Sequence, residues 1–498
     1  MALSSEILQP VKTVLIGGYY GKNNTGDDAI LRASIQALQT ARPNLALIIV
    51  SNSPENTQKE YHLPAVAWRD LPALASAVRQ ADLVLIGGGG LFMDYWGLDE
   101  ESYFRILHGG ISTYGTLAFL SEAFGVPYVL HAVGVGPLNS DLARQHTRRI
   151  FAQAKMANLR DSNSLALLEQ IGLAPLPAHI HLRADAVFTL QSGVEDQQKA
   201  DSLRTELEIP ADKPLLGISI RYWDRPVPPA EWLPALAQAI REFLAETGAH
   251  ALLLPFQIDA EGCLTDDLHI SRDLAQQINL PDRLHWPGQL PAVGVMQALI
   301  AGCDLLLGMR LHALLMAINT QTPAVGLAYD PKVSVLMKEA GFSHLTAALP
   351  VDAPALAHLL RQAWQERHDL ARQAGLFHKD QQSRAQKGIA EILQILDDLP
   401  PCPEQDKLGD FLIARLAQLQ KVDTELLQER AHAQNLSLEL NEMLSRATLL
   451  RQRLDEIENS QTYRLSLKLQ GWRNALIPPA SSRESLLGLL RGKKPKRK

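Results

Sequence analysis

The sequence predicts an α/β protein with two Rossmann-like halves that face a cleft, followed by a C-terminal coiled coil. Three observations support this class. Short apolar runs alternate with helical segments from Val11 to about Leu396, which is typical of parallel sheets covered by helices on both faces. A polar stretch from Gln191 to Pro214 divides this alternation into two series, and after Pro403 the pattern changes to heptads. The predicted segments are 1–195 and 196–400 for the two Rossmann-like domains, 404–460 for the coiled coil and 461–498 for a basic tail.

Composition narrows the functional classes. A net charge of −6 over 498 residues gives no reason to expect nucleic-acid binding. Cys263, Cys303 and Cys402 lack metal-ligand or redox spacing, so we expect a reduced, cytoplasmic chain. Residues 1–10 do not resemble a signal peptide, and no apolar run approaches the roughly 20 residues of a membrane helix. The basic run from Arg491 to Lys498 suits peripheral contact with an anionic membrane, with a solvated tail as the alternative.

The first predicted strand, Val11 to Ile16, leads into a glycine-rich loop, Gly17 to Asp28, and a helix from Ala29 to about Thr40. The loop matches neither the dinucleotide fingerprint nor the P-loop. Its glycines allow tight turns and close approach to a ligand. We expect at least one of Asp27 and Asp28 to cap the helix, and the other to bind a sugar hydroxyl or act as a base.

A second glycine-rich stretch, Gly87 to Gly90, follows the predicted strand Ala81 to Ile86. Four glycines at a strand end indicate backbone close to a ligand or to another loop. The aromatic and acidic residues that follow suit a sugar, and a packed loop is the alternative. These residues are Asp94, Tyr95, Trp96 and Asp99.

Farther along the first series, the predicted strand Met156 to Leu159 ends at Arg160. Arg160 is either a ligand-binding cation or half of a structural pair with Asp161. Ser162 is the expected N-cap of the next helix, and His181 to Leu190 is expected to contain a further strand.

The second series brings four basic residues to predicted strand ends. Arg221 follows Leu215 to Ile220, Arg310 and His312 follow Asp304 to Leu307, and Lys332 follows Pro323 to Ala328. Ligands bind at the carboxyl ends of strands in open α/β sheets, and helix N-termini there favour anions. These residues therefore predict an anion pocket, with a scatter of surface charge as the alternative.

Heptads follow Pro403. Arg415 and Glu429 interrupt them, and we predict a two-stranded coiled coil with self-association, or else a helix that packs on the globular part. Positions 412, 419, 426, 433, 440, 447 and 454 hold Leu, Leu, Leu, Ala, Leu, Ala and Leu, and positions 415, 422, 429, 436, 443, 450 and 457 hold Arg, Val, Glu, Leu, Met, Leu and Ile.

An ordered set of motifs over about residues 11–395 resembles the polysaccharide pyruvyl transferase family, and looks closest to the branch that modifies secondary cell-wall polysaccharides. Asp28 departs from the pattern, because many relatives are expected to have Glu there. The motifs are Gly18-Tyr19-Tyr20-Gly21, Asn24 to Leu31, Ile86-Gly87-Gly88-Gly89, Gly134 to Leu138, Arg160-Asp161, Ala184-Asp185, Gly308 to Ala313 and Tyr329-Asp330-Pro331-Lys332.

The resemblance implies a GT-B-like fold and transfer of a pyruvyl group from phosphoenolpyruvate to two hydroxyls of one sugar, giving a cyclic ketal and phosphate. We expect no cofactor. No metal site is evident from the residues: Asp266 and Asp267, or Asp27 and Asp28, could hold a cation, but adjacent side chains alone do not make a coordination shell. The acceptor would be a sugar or lipid-linked oligosaccharide in a cell-surface or exopolysaccharide precursor. The donor-binding roles fall on Arg160, Arg310, Leu311, His312 and Lys332, with Arg221 as a further candidate.

The chemistry of this reaction agrees with the residues. A donor with a phosphate and a carboxylate needs several cations, and transfer needs a general acid and a general base. His312 is the candidate to protonate the donor or the departing phosphate, and Asp27 or Asp94 to accept a sugar proton. The candidate acceptor-binding residues are Tyr19, Asn24, Asp27, Asp28 and Asp94.

Two alternatives remain at this point. One is a GT-B-type glycosyltransferase that uses a nucleotide sugar, although the sequence has no Asp-x-Asp metal motif and the Arg-Leu-His stretch fits a small dianion better. The other is a non-catalytic scaffold with the coiled coil as its working part.

Overall fold

The structure is a computed structural model that describes residues 11–95, 98, 103–104, 110–225, 227–258, 266–400, 407–459 and 461–476. The chain divides after Gln420 into two compact units. The first unit contains two parallel sheets, one of seven strands and one of six. The predicted α/β class with parallel sheets is therefore confirmed.

The first sheet has the strand order β3-β2-β1-β4-β5-β6-β7, and helices connect its strands. Its strands are β1 (Thr13–Gly17), β2 (Ala46–Ser51), β3 (Ala65–Ala67), β4 (Leu83–Phe92), β5 (Tyr128–Val135), β6 (Met156–Leu159) and β7 (Ile180–Leu182). Its helices are α1 (Thr25–Ala41), α2 (Pro54–Tyr61), α3 (Leu71–Gln80), α4 (Ile111–Phe124), α5 (Asp141–Gln153) and α6 (Ser162–Leu168).

The second sheet has the order β10-β9-β8-β11-β12-β13. Its strands are β8 (Leu215–Ser219), β9 (His250–Leu253), β10 (Leu284–His285), β11 (Leu305–Gly308), β12 (Ala324–Ala328) and β13 (Thr346–Ala348). The helices of this part are α7 (Val194–Glu206), α8 (Pro229–Thr247), α9 (Asp267–Ile278), α10 (Val293–Ala301), α11 (Leu311–Asn319), α12 (Pro331–Glu339), α13 (Ala353–Gln365) and α14 (Arg367–Asp398).

Each sheet has a topological switch point, where the strand order reverses. In the first sheet it lies between β1 and β4, and in the second between β8 and β11. The loops that leave two such strands diverge to opposite faces and open a crevice at the carboxyl edge. The glycine-rich loop after β1 and the Arg-Leu-His stretch after β11 therefore stand at the two places where this fold binds ligands.

Helix α14 begins near the second sheet and ends on the first. Ile389, Ile392 and Leu396 near its end share a buried core with Val14 and Ile16 of β1. The chain therefore returns to the first sheet after completing the second.

Strand β4 continues beyond the predicted end at Ile86, through the four glycines. Helix α1 lies against it. A Cβ on Gly88 would lie 2.2 Å from Ile30 Cγ2, and one on Gly89 would lie 2.6 Å from Asp27 Oδ1. Gly88 and Gly89 are thus required by the close approach of a helix, α1, rather than of another loop.

Two predictions about helix caps were wrong, and one predicted strand is present but short. Asn24 caps α1 by accepting the N–H of Gly26 at 3.0 Å, so neither Asp27 nor Asp28 is the cap. Asp161, rather than Ser162, caps α6 by accepting the N–H of Ser164. The expected strand over 181–190 is only the short β7, followed by a 3-10 turn from Ala186 to Thr189.

The C-terminal part consists of the helices α15 (Lys407–Asn459) and α16 (Gln461–Leu476). Within the first unit, Leu416 of α15 is buried in the first-sheet core, and Gln420 accepts the N–H of Leu71. Farther along, Val422, Leu436 and Leu440 are exposed, and the coiled coil stays a prediction. Among the described residues, no helix combines the length and apolar character needed to cross a membrane. Trp96, Asp99 and the basic run 491–498 lie outside the described residues.

Candidate functional site

The carboxyl ends of the two sheets meet. We call the loops after β1, β4, β6 and β7 the first edge, and the loops after β8, β9, β11 and β12 the second edge. Thr25 at the start of α1 donates its N–H to the carbonyl of Phe256 at 2.8 Å, and Asn24 forms an antiparallel bridge with Gln257. Tyr95 of the first edge donates to Asp330 Oδ2 of the second at 2.8 Å.

His312 lies in the first turn of α11 and crosses to the first edge. A Cβ on Gly26 would lie 2.2 Å from His312 Nδ1, so the imidazole packs where only a glycine leaves room. His312 Nε2 is buried, lies 3.7 Å from Asp185 Oδ2 and has no hydrogen-bond partner among the described residues. Burial lowers the pKa of His312, and Asp185 offsets part of this effect.

Asp185 lies between His312 and Arg160. Arg160 Nη1 donates to Asp185 Oδ2 at 3.1 Å, and Val187 donates its N–H to the other oxygen at 3.0 Å. Burial alone raises the pKa of Asp185, but His312 and Arg160 outweigh it and lower the pKa to about 2. A Cβ on Gly134 would lie 2.8 Å from Arg160 Nε, so the absence of a side chain at Gly134 leaves room for the guanidinium.

The site prediction missed Asp185 as a functional residue. A signal was present, because Asp185 belongs to the Ala184-Asp185 motif and follows the last strand of the first series. His312, which lies 3.7 Å away, is in α11 beside the second sheet. Nothing in the sequence near either residue indicates that the two lie close together.

Asp27 and Asp28 follow the cap of α1 and differ in their contacts. Asp28 Oδ1 accepts the N–H of Gly21 at 3.1 Å and so holds the glycine-rich loop. The Asp27 carboxylate accepts no hydrogen bond from the described residues. Burial raises the pKa of Asp27 to about 7, and the charge of Asp28 adds to this, against the opposing effects of Arg160 and Lys332. Burial also raises the pKa of Asp28 to about 7. Asp27 can therefore exchange a proton near neutral pH.

Arg310 is the N-cap residue of α11, and its guanidinium forms an ion pair with Asp267. Its Nε lies 3.0 Å from Asp267 Oδ2 and its Nη2 lies 2.5 Å from Asp267 Oδ1, and both Nη atoms contact Gln257 Oε1 at 3.3 Å. Asp267 also accepts the N–H groups of Phe256 and Gln257. Burial would lower the pKa of Arg310, but Asp267 raises it. Arg310 therefore fixes the segment that bonds to the first edge.

Arg221 and Lys332 both lie close to Tyr329. Arg221 Nη1 is 3.3 Å from the Tyr329 hydroxyl, and the Arg221 guanidinium lies 5.2 Å from the Trp223 ring and 5.3 Å from the Tyr329 ring. Lys332 Nζ lies 5.2 Å from the Tyr329 ring and 3.8 Å from Asp330 Oδ2. Arg221 forms no ion pair within the described part of the chain, so its charge is available to an anion.

The other predicted site residues are engaged elsewhere or packed. Asp94 is buried and accepts three hydrogen bonds, from the N–H of Asn139 at 2.6 Å and from the N–H and Oγ of Ser140 at 2.7 and 2.9 Å. The oxygen of Asn24 is occupied by the cap. Tyr19 is half-buried against the first-sheet core, and Leu311 is buried.

The structure thus brings Asp27, Arg160, His312, Arg310, Arg221 and Lys332 to the meeting of the two edges. In the described ranges, no three His, Cys, Asp or Glu side chains are grouped so as to hold a metal ion.

A family model described as polysaccharide pyruvyl transferase matches residues 24–331, more than half of the chain. The chain belongs to the polysaccharide pyruvyl transferase family. A curated relative is the amylovoran biosynthesis protein AmsJ of Erwinia amylovora, 23% identical over 380 residues that cover 67% of this chain and 87% of the relative. The protein is accordingly a transferase with a pyruvyl transferase role in polysaccharide synthesis.

Solved structures support the fold alone. UDP-GlcNAc 2-epimerase from Methanocaldococcus jannaschii aligns with a TM-score of 0.52 at 12% identity, over 78% of this chain and 99% of that one. The enzyme of the same name from Neisseria meningitidis aligns with a TM-score of 0.51 at 11% identity, over 77% and 100%. These likenesses are consistent with the α/β fold of parallel sheets, and the GT-B-like class stays a prediction. The secondary cell-wall branch stays a prediction.

Proposed function

We propose that this transferase moves a pyruvyl group from phosphoenolpyruvate to two hydroxyls of one sugar, forming a cyclic ketal and releasing phosphate. One observation carries the proposal: Asp27 and the Arg160–Asp185–His312 group lie near Lys332 where the carboxyl ends of the two sheets meet, and Arg221 and Lys332 both contact Tyr329. In this proposal residues 1–195 form the acceptor side of a cleft and residues 196–400 the donor side.

The charges of the second edge support a small dianionic donor. Phosphoenolpyruvate carries a phosphate and a carboxylate, and each gains most from cations that have no other anion. Arg310 is neutralised by Asp267 and Arg160 by Asp185, whereas Arg221 has no carboxylate partner in the described residues. We therefore assign first contact with the donor to Arg221. Lys332 joins it as the neighbouring cation at Tyr329, although its ammonium also lies 3.8 Å from Asp330 Oδ2. In this proposal Arg310 and Arg160, which are held by their carboxylate partners, form part of the pocket wall, and the buried Leu311 packs next to them.

The transfer has two stages. First, the oxygen of one sugar hydroxyl bonds to C2 of the donor while C3 gains a proton and becomes a methyl group. Then the oxygen of the second hydroxyl bonds to C2 and the bond from C2 to the phosphate oxygen breaks. Over both stages the sugar loses two protons, and C3 and phosphate each gain one.

His312 is the proposed acid for C3. Without a ligand, burial favours the neutral imidazole. An arriving dianion raises the pKa of a neighbouring histidine, so donor binding itself prepares the acid form. Asp27 is the proposed base, because its carboxylate has no hydrogen bond from the described residues and exchanges a proton near neutral pH.

The acceptor side is less defined. Tyr19, Asn24, Asp28 and Asp94 remain candidate acceptor-binding residues, but the side-chain oxygens of Asn24 and Asp94 are already occupied. Asp27 is thus the strongest candidate. The acceptor we propose is a sugar of a cell-surface or exopolysaccharide precursor, free or lipid-linked.

The test is phosphate release by the full chain from phosphoenolpyruvate with a panel of sugar acceptors, with the ketal detected by mass spectrometry. We expect release to depend on the acceptor and to fall about 100-fold or more in His312→Ala. If a nucleotide sugar, and not phosphoenolpyruvate, stabilises the protein against heat, the glycosyltransferase alternative replaces this proposal. Donor binding without any turnover would favour the scaffold.

We further propose self-association through the coiled coil, supported by the exposed Leu436, Leu440 and Met443 at core heptad positions. Leu436→Lys combined with Leu440→Lys should give a monomer by light scattering, and Gln434→Lys serves as the control. An unchanged mass would contradict the coiled coil.

We also propose that the protein is cytoplasmic and contacts the membrane peripherally through its basic tail. The chain that ends at Leu476 should no longer sediment with anionic vesicles, whereas the full chain should. Equal sedimentation of the two would exclude the tail as the membrane contact.

A further inference from the structure

Tyr329 follows β12 directly and belongs to the Tyr329-Asp330-Pro331-Lys332 motif, but the roles assigned so far leave its hydroxyl unused. It contacts both cations to which we assign the donor. Arg221 Nη1 is 3.3 Å from the phenol oxygen, and Lys332 Nζ lies 5.2 Å from the ring. The edge of Trp223 closes one side at a ring separation of 4.8 Å.

The contact with Arg221 leaves the phenol proton free to act. A guanidinium donates hydrogen bonds and cannot accept them. The phenol oxygen of Tyr329 is therefore the acceptor, and the hydroxyl hydrogen points elsewhere. No acceptor for this hydrogen exists among the described residues, so a bound ligand is its natural partner.

The charges around Tyr329 favour loss of that proton. Burial raises the pKa of a phenol, but Lys332, Arg221 and Arg310 outweigh it here and lower the pKa of Tyr329. Tyr95 shows the contrast across the site, because burial and Asp330 raise its pKa. Two tyrosines that are near neighbours thus differ in acidity, owing to the cations on one side and the carboxylate on the other.

The proposed reaction needs two proton deliveries, one to C3 and one to phosphate. A single imidazole at His312 carries one proton for this purpose. It also lies on the Asp185 side, whereas Tyr329 lies with Arg221 and Lys332, where we place the phosphate. A second donor beside those cations completes the proton requirement.

We propose that Tyr329 is a second catalytic acid, which gives its hydroxyl proton to the departing phosphate oxygen. The inference rests on the proposed use of phosphoenolpyruvate. In the second stage the second sugar oxygen bonds to C2, and its proton passes to Asp27, which has released the proton of the first hydroxyl to solvent. The bond from C2 to the phosphate oxygen breaks, and that oxygen takes the proton of Tyr329. Arg221 and Lys332 hold the resulting phenolate until solvent returns its proton.

Tyr329→Phe in the full chain tests this role, because it keeps the ring beside both cations and removes only the hydroxyl. Tyr128→Phe is the matched control. Tyr128 lies at the amino end of β5, away from the site, and its hydroxyl donates to the carbonyl of Ile150 in α5. We expect Tyr329→Phe to keep its phosphoenolpyruvate Kd within about threefold while kcat for phosphate release falls roughly 100-fold. Tyr128→Phe should keep both values, and both variants should melt as cooperative folded proteins.

Deuterium separates the two stages. In D₂O, Tyr329→Phe should still place deuterium on C3 of the donor carbon skeleton at nearly the wild-type rate, while phosphate release is slow. Equal loss of both rates would overturn the leaving-group role, as would a weakening of Kd that accounts for the whole effect. If the wild-type protein itself releases no phosphate from phosphoenolpyruvate with any acceptor, the proposed function fails and this inference fails with it. A failure seen only in Tyr329→Phe concerns Tyr329 alone.

Discussion

The two edges differ in their charged residues. The first edge carries the carboxylates of Asp27, Asp94 and Asp185 with Arg160 among them, and the second carries Arg221, Arg310 and Lys332 with the carboxylates of Asp267 and Asp330. On each edge, however, one charge is fully bound and another is available. Asp94 accepts three hydrogen bonds whereas Asp27 accepts none from the described residues, and Arg310 is paired with Asp267 whereas Arg221 has no such partner. The bound charges build the site, and the available charges are the ones that chemistry can use.

Asp27→Asn should show the largest effect on activity. The amide has the shape of the carboxylate but cannot accept the sugar proton, so we expect kcat to fall about 10³-fold. The phosphoenolpyruvate Kd should change only a few-fold, because the donor cations remain. Steady-state phosphate release and calorimetric titration measure the two quantities.

Asp94→Asn is the matched control for Asp27→Asn. The amide replaces the carboxylate that accepts the N–H groups of Asn139 and Ser140. This change should cost about 1–3 kcal/mol in unfolding free energy, while the folded protein keeps its kcat. A large loss of kcat in this variant, with little loss in Asp27→Asn, would exchange the roles of the two carboxylates.

Arg310→Gln should produce the largest effect on stability. Without the guanidinium, the carboxylate of Asp267 is left buried and unpaired, which typically costs about 3–5 kcal/mol. Urea unfolding measures this cost. The Arg310→Gln, Asp267→Asn double variant should recover part of it, and no recovery would mean that the ion pair is not the source.

The placement of the cations could be predicted from sequence, but their partners could not. Apolar runs that end at Arg221 and Arg310 predict strand ends, and parallel topology brings those ends to one edge. Arg310 and Asp267, in contrast, are 43 residues apart, and nothing near either residue indicates the pair. The N-cap of α1 could not be predicted either, because Asn24, Asp27 and Asp28 are all residue types that suit an N-cap. The extended backbone at Asn24, which the sequence does not reveal, makes Asn24 the N-cap.

Arg221→Gln should weaken donor binding and leave stability almost unchanged. The side chain is half-buried and forms no ion pair with the described residues, so its removal leaves no carboxylate unpaired. We expect the phosphoenolpyruvate Kd to rise about 10–100-fold, the loss typical of one charge-assisted contact. Unfolding free energy should stay within about 0.5 kcal/mol of wild type. The reverse pattern, a stability loss with unchanged Kd, would place Arg221 among the bound charges.

The smallest expected effect is the pH dependence that Asp27 gives to stability. Burial raises the pKa of Asp27 from 3.8 to about 7, so between these values the folded state holds a proton that the unfolded chain has lost. Its contribution to stability is complete below about pH 4 and is lost as the pH rises to about 7. Asp28 acts in the same direction, whereas burial lowers the pKa of His131 to about 4 and that of His312, so these histidines act in the opposite direction.

Comparison of Asp27→Asn with wild type isolates the one carboxyl, because the other groups contribute to both proteins. The variant should match wild type near pH 4 and become more stable than wild type as the pH rises to 7.5. The full slope for one proton is about 1.4 kcal/mol per pH unit, but solvent screening of the partly exposed carboxyl reduces the total to the order of 1 kcal/mol. Urea unfolding at pH 4.5, 5.5, 6.5 and 7.5 (roughly unit steps across the window) measures the difference. A difference that does not change with pH would show that Asp27 titrates normally, and it would then be a bound charge like Asp94 rather than the available base of the first edge.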